Sequence, residues 1–479
     1  MKRSIPFSLF RVLSVILAVL LFAIAVMGAE RLEKKYYLKL DVSRNQLSSL
    51  SPYTRERLSL LTEPVTVWAV YSGKEDFLHD LQTETLQKMS SVCPQLSFRF
   101  VDPIREPQLL RRLNGGDISG VPDGTCFAEN AQKHRITRLE AKDFLFSRRI
   151  GEEIYTVYCG EACLIGGIAD VCLNTPVRAV FSMGHGEAGT ERCSRLALQL
   201  HTMGLTVSDG SLFTAELTNR DLLLIVDPKT DLTQSETEKL LAFLQEGGKL
   251  AVAAGADTPV ENLTHLSGVL DLYGLGFCAG LAEEKASASA NYSERTDWLS
   301  PAAEPENGIL KEMTSRPILP RSAALKVPGS RPGVVHRVLL RTSSDAVLHG
   351  DPSLPGGESS EEDTFGSFIL ACESENSLGT RIFLLSSAEA FMDESTGDMP
   401  VSIQDISGNL HLISGVIRYM TDREVDYSLD AGVKQLPARL IVFENDAEKN
   451  TVSLLLCFFM PALVLLVMGV VLLSRRRRA

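Results

Sequence analysis

Several short motifs that identify large enzyme classes are missing from this sequence. It contains no G-x-x-x-x-G-K-[ST] loop, so the chain does not carry the phosphate-binding loop of a P-loop ATPase. It also contains no G-x-S-x-G elbow and no H-E-x-x-H helix, and its nine cysteines include no C-x-x-C pair. The sequence therefore gives no motif for ATP hydrolysis or for serine-hydrolase, zinc-protease or thioredoxin-type chemistry.

Positive charge is also scarce. The chain has 48 Lys and Arg residues against 60 Asp and Glu residues, which gives a net charge of -12. Nucleic-acid binding requires clustered positive charge to meet the phosphates, so we expect no nucleic-acid partner. Hydrophobic residues make up 44% of the 479 residues, which is enough for a sizeable core and predicts two or three domains.

Two long apolar runs lie near the ends of the chain. Residues 12–29 and 452–473 are each long enough to cross a bilayer as a helix. Arginines follow the second run directly and acidic residues precede it, which predicts a basic cytoplasmic tail at 474–479 and a cytoplasmic leader at 1–11. We expect a two-pass plasma-membrane protein with both termini cytoplasmic and a large extracytoplasmic domain. A cleavable signal peptide is the alternative interpretation of the first run.

Residues 36–150 predict an N-terminal α/β ectodomain with a thioredoxin-like fold. The hydrophobic pattern predicts a strand, a helix and a second strand in close succession, which is typical of a β-α-β unit. The predicted elements of this domain lie at residues 64–71, 76–89, 96–101, 106–113 and 125–136. Because a C-x-x-C pair is absent, we interpret this domain as a scaffold and not as an oxidoreductase.

Residues 160–425 predict a central α/β domain with a Rossmann/flavodoxin-like parallel sheet. Its strands are almost continuously apolar, which indicates burial on both faces beneath helices. Strands are predicted at 177–183, 221–226, 249–254 and 381–385, and helices at 161–172, 192–203, 234–246, 262–273 and 409–420. Two polar insertions near 283–307 and 350–367 predict solvent-exposed loops.

The sequence GHGEAG contains the sharpest local motif. Gly184, Gly186 and Gly189 match G-x-G-x-x-G after a predicted strand and before a predicted helix, and Asp209 lies where a ribose-binding acid is expected. However, Glu187 places a negative charge where a pyrophosphate would bind, and such cofactors are scarce outside the membrane. We therefore expect no cofactor and a turn whose glycines serve its geometry.

The same turn lies at the carboxyl end of a strand, where open parallel sheets place ligands. We predict that Gly184, His185, Gly186 and Glu187 contact a ligand or stabilise the turn, and we predict no catalytic or metal-binding residue. An extracytoplasmic hydrolase that uses His185 as a base in this crevice is the alternative, since histidine and a carboxylate suit proton transfer.

Several blocks of sequence occur in an order that resembles a known family. A segment at 41–72 (DVSRNQLSSL and onward) follows the first apolar run, and a VDP turn, the GHGE turn, a block at 221–250 and a GN-x-x-L element at 408–420 come after it. This order resembles the GldG-like, gliding-motility-associated auxiliary components of ABC-type transport systems. The resemblance implies a non-catalytic subunit that partners an ABC ATPase and a multi-span permease in membrane lipid. A structural cell-envelope protein without a transporter is a further alternative.

Overall fold

The chain is a mixed α/β protein in a computed structural model, as the sequence predicts. The described residues are 49–73, 76–116, 120–150, 153–172, 177–284, 291–292, 295–304, 308–310, 313, 315–327, 331–351, 363–393, 403, 407–421, 434–436 and scattered positions from 451 to 465. Leu50–Leu436 forms one compact unit, and the flanking residues belong to a second. The expected span at 12–29, and most of the one at 452–473, lie outside the described residues. None of the described helices is long and apolar enough to cross a bilayer.

The compact unit begins with a four-stranded mixed sheet. Its elements are α1 (Pro52–Ser59), β1 (Val65–Val70), α2 (Phe77–Val92), β2 (Leu96–Val101), α3 (Pro107–Leu113), β3 (Cys126–Asn130) and β4 (Arg135–Leu139). The strand order is β2-β1-β3-β4, with β1 and β2 parallel and the other neighbours antiparallel. The predicted β-α-β unit is confirmed. Helix α2 begins where expected because the Asp76 side chain accepts a hydrogen bond from the His79 N–H.

A hairpin and a buried helix follow this sheet. They comprise α4 (Ala141–Phe144), β5 (Leu145–Ile150), β6 (Glu153–Tyr158) and α5 (Gly160–Cys172). Strands β5 and β6 pair antiparallel, and α5 packs against β3 and β4. Helix α5 was predicted from its apolar pattern, and it is buried along most of its length.

A ten-stranded sheet and smaller three-stranded sheets make up the rest of the compact unit. The elements that follow α5 are β7 (Arg178–Ser182), α6 (Ser194–Thr202), β8 (Thr206–Gly210), β9 (Leu222–Val226), α7 (Gln234–Gln245), β10 (Lys249–Ala253), a 3-10 turn (Val260–Asn262), α8 (Thr264–Leu272), β11 (Gly276–Cys278), β12 (Leu281–Glu283), β13 (Asn291–Tyr292), β14 (Arg295–Leu299), β15 (Ala302–Ala303), β16 (Leu319–Pro320), β17 (Ala324–Lys326), β18 (Val334–Arg341), β19 (Val347–His349), β20 (Thr364–Phe365), β21 (Ile369–Asn376), β22 (Arg381–Leu385), α9 (Ser407–Thr421) and β23 (Lys434–Gln435). The main path of the ten-stranded sheet is β11-β17-β21-β22-β10-β9-β7-β8, with β18 beside β21 and β15 beside β18. The smaller sheets are β12-β19-β20, β13-β14-β16 and β23-β6-β5.

Only half of this sheet is parallel. Strands β22, β10, β9, β7 and β8 run parallel to one another, and the apolar runs predict all of them except β8. Strands β11, β15, β17, β18 and β21 add an antiparallel half. Parallel neighbours need long crossover connections, which here carry the helices, whereas antiparallel neighbours can be joined by short turns. Sequence analysis did not predict the antiparallel strands.

The parallel half of the sheet is covered on both faces. Leu222, Leu224 and Val226 of β9 belong to one apolar cluster, which includes residues of α6 and α9. Leu223 and Ile225, which point to the opposite face, belong to a second cluster with residues of α7 and α8. Burial on both faces explains why this strand has no polar alternation in the sequence.

The expected loop at 283–307 is partly wrong. Strand β14 lies within it and pairs with β13 and β16. Trp298 and Leu299 are each only 1% exposed, and Trp298 packs against Ile318 and Ile403. The few apolar residues of this segment are diluted by Ser, Glu and Ala in the sequence, so composition alone indicated a loop. In the other insertion, residues 352–362 lie outside the described residues.

Both ends of the compact unit meet at one buried carboxylate. Glu161 of α5 is fully buried, and its Oε2 accepts a hydrogen bond from the Ser51 N–H at 2.9 Å. Its Oε1 pairs with Lys434 Nζ at 2.8 Å. Strand β23 continues this arrangement by pairing with β6, and the Leu436 N–H donates to the Thr156 carbonyl at 2.9 Å. The chain therefore enters and leaves the compact unit at neighbouring points.

Candidate functional site

The GHGE turn follows β7 and depends on its glycines. Gly184 has a φ of 129° and Gly186 a φ of 77°, in the region that side chains disfavour. A Cβ at Gly186 would lie 3.0 Å from Lys229 Cβ, which is a tighter approach than ordinary van der Waals contact. The second glycine thus lets the turn pack against the segment that follows β9.

His185 lies between two buried carboxylates. Its Nδ1 is 3.2 Å from Glu187 Oε1, and its Nε2 is 3.1 Å from Glu236 Oε2. All three side chains are less than a tenth exposed. Glu187 also accepts hydrogen bonds from the His185 N–H at 2.5 Å and from Ser182 Oγ at 2.9 Å. Both ring nitrogens therefore face protein carboxylates, and neither has a lone pair directed at open space.

Glu236 ties the turn to helix α7. Its side chain accepts from the Thr233 N–H at 3.0 Å and forms a capping box at the start of the helix. Burial alone would raise the pKa of Glu236, but the hydrogen bonds from Thr233 and the nearby His185 outweigh it and lower that pKa. The His185 carbonyl accepts from the N–H groups of Lys229 and Thr230 at 2.8 and 3.0 Å. These contacts are those of a turn-stabilising residue.

The two other features of a dinucleotide fingerprint, the ribose-binding acid and the helix N-terminus, both bond to groups of the protein. Asp209 accepts hydrogen bonds from the Thr190 N–H at 2.9 Å and from its hydroxyl at 2.8 Å. Helix α6 begins only at Ser194, several residues after the third glycine of the motif. Its first N–H groups, those of Ser194 and Arg195, donate to the Asp393 carboxylate at 2.5 and 3.1 Å. A carboxylate thus fills the position that a pyrophosphate would need.

A cleft of about 200 Å³ lies beside the turn, at the carboxyl ends of three adjacent parallel strands. Asp227 directly follows β9, Asp257 comes shortly after β10, and Glu389 comes shortly after β22. The lining also includes Arg192, Lys229, Thr258 and Arg321, with apolar contacts from Ala256, Ala388 and Met392. This edge of an open parallel sheet is where such folds place ligands.

Most charged groups of the cleft pair with each other. Lys229 Nζ is 2.7 Å from Asp227 Oδ1, which also accepts from Thr258 Oγ1 at 2.8 Å. Arg321 binds Asp257 through two parallel hydrogen bonds of 2.6 and 2.7 Å. These bonds fix the walls of the cleft before any ligand is present.

Strained backbone is concentrated at this cleft. Among the described residues, the non-glycine residues with positive φ are His134, Asp227 and Arg321. Two of these three, Asp227 at 54° and Arg321 at 41°, line the cleft. Such conformations cost free energy and persist only where surrounding contacts enforce them, and they cluster at functional sites.

Glu389 is the unpaired acid of the cleft. Its Oε2 is buried and has no hydrogen-bond partner. Burial raises the pKa of Glu389 to about 7, with Arg321 opposing and Asp257 adding to the shift. A carboxyl group that titrates near neutrality in a cleft is a candidate for binding or proton transfer. Within the described residues, no set of His, Cys, Asp and Glu side chains is arranged to hold a metal ion.

Sequence analysis missed Glu389, although one rule could have found it. That rule places ligands after the carboxyl ends of parallel strands, and it holds for the segment after β22 as well as for the glycine turn after β7. The segment SSAEA directly follows the predicted strand β22 and contains Glu389. The turn and the cleft are neighbours, since Lys229 contacts Gly186 and also lines the cleft.

Comparison with known families gives one partial match. Residues 44–135 match a family model described as "Domain of unknown function (DUF7088)". No curated protein matches the chain. The matched residues include strands β1, β2 and β3 of the first sheet, end at the first residue of β4, and do not include the GHGE turn or the cleft.

Three solved structures show weak similarity. The chain is 16% identical to the mmIFT52 N-terminal domain, covering 52% of this chain and 99% of that one, with a TM-score of 0.39. A putative ThuA-like protein from Bacteroides uniformis is 14% identical over 52% of this chain and 94% of its own, with a TM-score of 0.31. The cytoplasmic protein STM3548 from Salmonella typhimurium is 12% identical over 51% and 98%, with a TM-score of 0.32. At these TM-scores the similarities do not indicate a shared function.

Proposed function

We propose that the chain is a membrane-anchored, non-catalytic auxiliary subunit of an ABC-type transport system, similar to the GldG-like family. In this proposal a thioredoxin-like domain at 36–150 and a Rossmann/flavodoxin-like domain at 160–425 lie outside the cell. Two terminal membrane helices hold them beside an ABC ATPase and a multi-span permease, with both termini cytoplasmic. The order of the resembling sequence blocks supports this assignment.

The observation that carries the proposal is that both ends of the compact unit contact Glu161. Ser51 and Lys434 each contact this carboxylate, so the segments that lead away from the compact unit start side by side. An extracytoplasmic body held by two spans of one membrane needs both connections on the same side.

The GHGE turn supports the non-catalytic part of the proposal. A general base must direct a lone pair at the proton that it removes. The ring nitrogens of His185 face Glu187 and Glu236 instead. We therefore assign this residue a role in holding the turn against α7.

Affinity purification tests the partnership. The tagged full-length chain would be extracted in mild detergent, and co-purifying proteins identified by mass spectrometry. We expect an ATPase with a Walker loop and a multi-span permease, both absent when the same tag is carried by an unrelated two-span protein. Recovery of neither partner from membranes in which both are expressed would contradict the proposal and favour a structural envelope protein.

A second candidate function is an extracytoplasmic enzyme, and Glu389 is the observation that favours it. A carboxyl group with a pKa of about 7 can donate and accept a proton at neutral pH. Hydrolysis of chromogenic esters and glycosides would be compared for the wild type and Glu389→Gln. Turnover that is lost in a folded Glu389→Gln protein would establish the enzyme, and equal rates in both proteins would exclude this role for Glu389.

A further inference from the structure

The charged side chains around Glu389 form two Arg–Asp ion pairs, and neither pair supplies a net positive charge to balance the Glu389 carboxylate. The groups that act on it are Arg321 with Asp257, and Arg295 with Asp297. Arg321 binds Asp257, and Arg295 binds Asp297 at 3.0 Å. These pairs come from the segments after β10, after β16 and in β14, and within each pair the two charges oppose each other.

The remaining cations of the cleft do not compensate Glu389 either. Lys229 is paired with Asp227, and Arg192 is also engaged by a partner. Glu389 Oε2 accepts no hydrogen bond from any of them. A buried carboxylate oxygen without a partner is costly, so a ligand that brings a positive charge to Oε2 would gain a strong interaction here.

Glu389 is held in place by its surroundings. The flanking residues Ala388 and Ala390 are 4% and 1% exposed, so the backbone on both sides of it is packed into the core. Just before them, Ser387 Oγ donates to the Pro320 carbonyl at 2.6 Å. The backbone from which the Glu389 side chain projects is thus fixed, and ligand binding has to order little of the chain besides that side chain.

The other walls of the cleft suit hydroxyl groups. Asp227, Asp257 and Thr258 offer oxygen acceptors, and Lys229 and Arg321 offer N–H donors. The volume of about 200 Å³ admits only a small molecule. We propose that this cleft binds a small polyhydroxylated ligand that carries a primary ammonium group, with the ammonium on Glu389. The proposal goes beyond the auxiliary-subunit function and does not depend on it.

Binding of this kind has a proton signature. A primary ammonium is charged at neutral pH and pairs with the ionised form of a carboxyl group. Because the pKa of Glu389 is about 7 without a ligand, part of the population must lose a proton when the ligand binds. Affinity for the ammonium ligand therefore falls as the pH drops below about 7.

Calorimetric titration of the full-length chain in mild detergent tests the proposal with two matched probes. Glucamine is sorbitol with one terminal hydroxyl replaced by an amine, so the pair differs in the ammonium group alone. We expect glucamine to bind at least about tenfold more tightly than sorbitol at about pH 8, as a charge-assisted hydrogen bond implies. Titrations in buffers of different ionisation enthalpy should show proton release near pH 7 with glucamine only.

Glu389→Gln keeps the size of the side chain and removes its charge. It should lower glucamine affinity to that of sorbitol and abolish the proton release. The control Glu238→Gln removes an exposed carboxylate of α7 and should bind both probes as the wild type does. Equal affinities for the two probes, no binding of glucamine, or full glucamine affinity in Glu389→Gln would each overturn the proposal. None of these results depends on recovering transport partners, so the two proposals fail separately.

Discussion

The GHGE turn and the cleft beside it share Lys229 yet differ in how their polar groups are satisfied. In the turn, His185, Glu187 and Glu236 contact one another, and the glycines close the backbone around them. The cleft, by contrast, is lined by two residues with strained backbone and by a carboxylate with an unpartnered oxygen. The polar side chains of the glycine motif are thus bonded within the protein, whereas the carboxylate with an unpartnered oxygen, Glu389, belongs to no recognisable motif. The two regions should respond differently to substitution.

The largest expected effect is on His185. His185→Ala would leave the Glu187 and Glu236 carboxylates buried and facing an empty space. Removing one member of such a buried group costs about 3 to 5 kcal/mol in the free energy of unfolding. Thermal and urea unfolding of the purified chain would measure this loss.

His265→Ala is the matched control for that experiment. His265 also contacts a carboxylate, that of Asp231 at 3.0 Å, but its side chain is 43% exposed. Its loss should change the free energy of unfolding by less than about 1 kcal/mol. Equal stability of the two variants would show that His185 does not hold the turn, and would reopen its interpretation as a catalytic base.

A smaller effect is expected at Gly186. Gly186→Ala places a Cβ at a φ of 77° and 3.0 Å from Lys229 Cβ. We expect a loss of about 1 to 2 kcal/mol from the unfavourable backbone alone. Gly268→Ala, on α8 with open space around it, should instead gain up to about 1 kcal/mol from helix propensity. A stable Gly186→Ala protein would mean that the turn tolerates a different path.

Asp393→Ala removes the acceptor for the first N–H groups of α6. We expect the free energy of unfolding to fall by about 1 kcal/mol, the usual contribution of an acceptor at a helix N-terminus. Asp393→Asn retains an acceptor oxygen and should recover most of that stability. The midpoint of thermal unfolding compares the two variants. If both behave as the wild type, Asp393 does not satisfy this helix terminus, and the case against a pyrophosphate site weakens.

A further expected effect concerns the pH dependence of stability at Glu389. Its folded pKa of about 7 lies above the ordinary value of 4.5, so the unfolded state releases the proton first. Wild-type stability should therefore fall as the pH rises from about 4.5 to about 7. Glu389→Gln removes this decline, and its unfolding midpoint should exceed that of the wild type more at high pH than at low pH. An unchanged difference across this range would disprove the raised pKa.

Much of the fold could be predicted because burial leaves a periodic pattern. Strands β1, β2, β9, β10 and β22 and the helices between them were found within a few residues, since each is apolar on at least one face. The antiparallel half could not be found in this way. Strands β11, β15 and β17 are only two or three residues long, which is too short for a period to be visible, and β21 contains Glu and Ser among its apolar residues.

The sequence could predict where the candidate site lies in the fold but not which side chains form it. The carboxyl edge of the parallel sheet followed from the fold, but which side chains meet there depends on crossover connections and on a turn after β16. Arg321 and Asp257, for example, are 64 residues apart in the chain and form one ion pair. No local pattern encodes that contact, and the unpaired oxygen of Glu389 is visible only when all its neighbours are placed.

The two ends of the compact unit lie close together, because Ser51 and Lys434 both contact Glu161. A short peptide could join Leu436 to Leu50 directly, because the entropic cost of closing a loop grows only slowly with its length. New ends could then be opened in an exposed turn elsewhere, as circular permutation requires. Such a permutation would move the attachment point to another exposed turn while leaving the residues that pack the sheets unchanged.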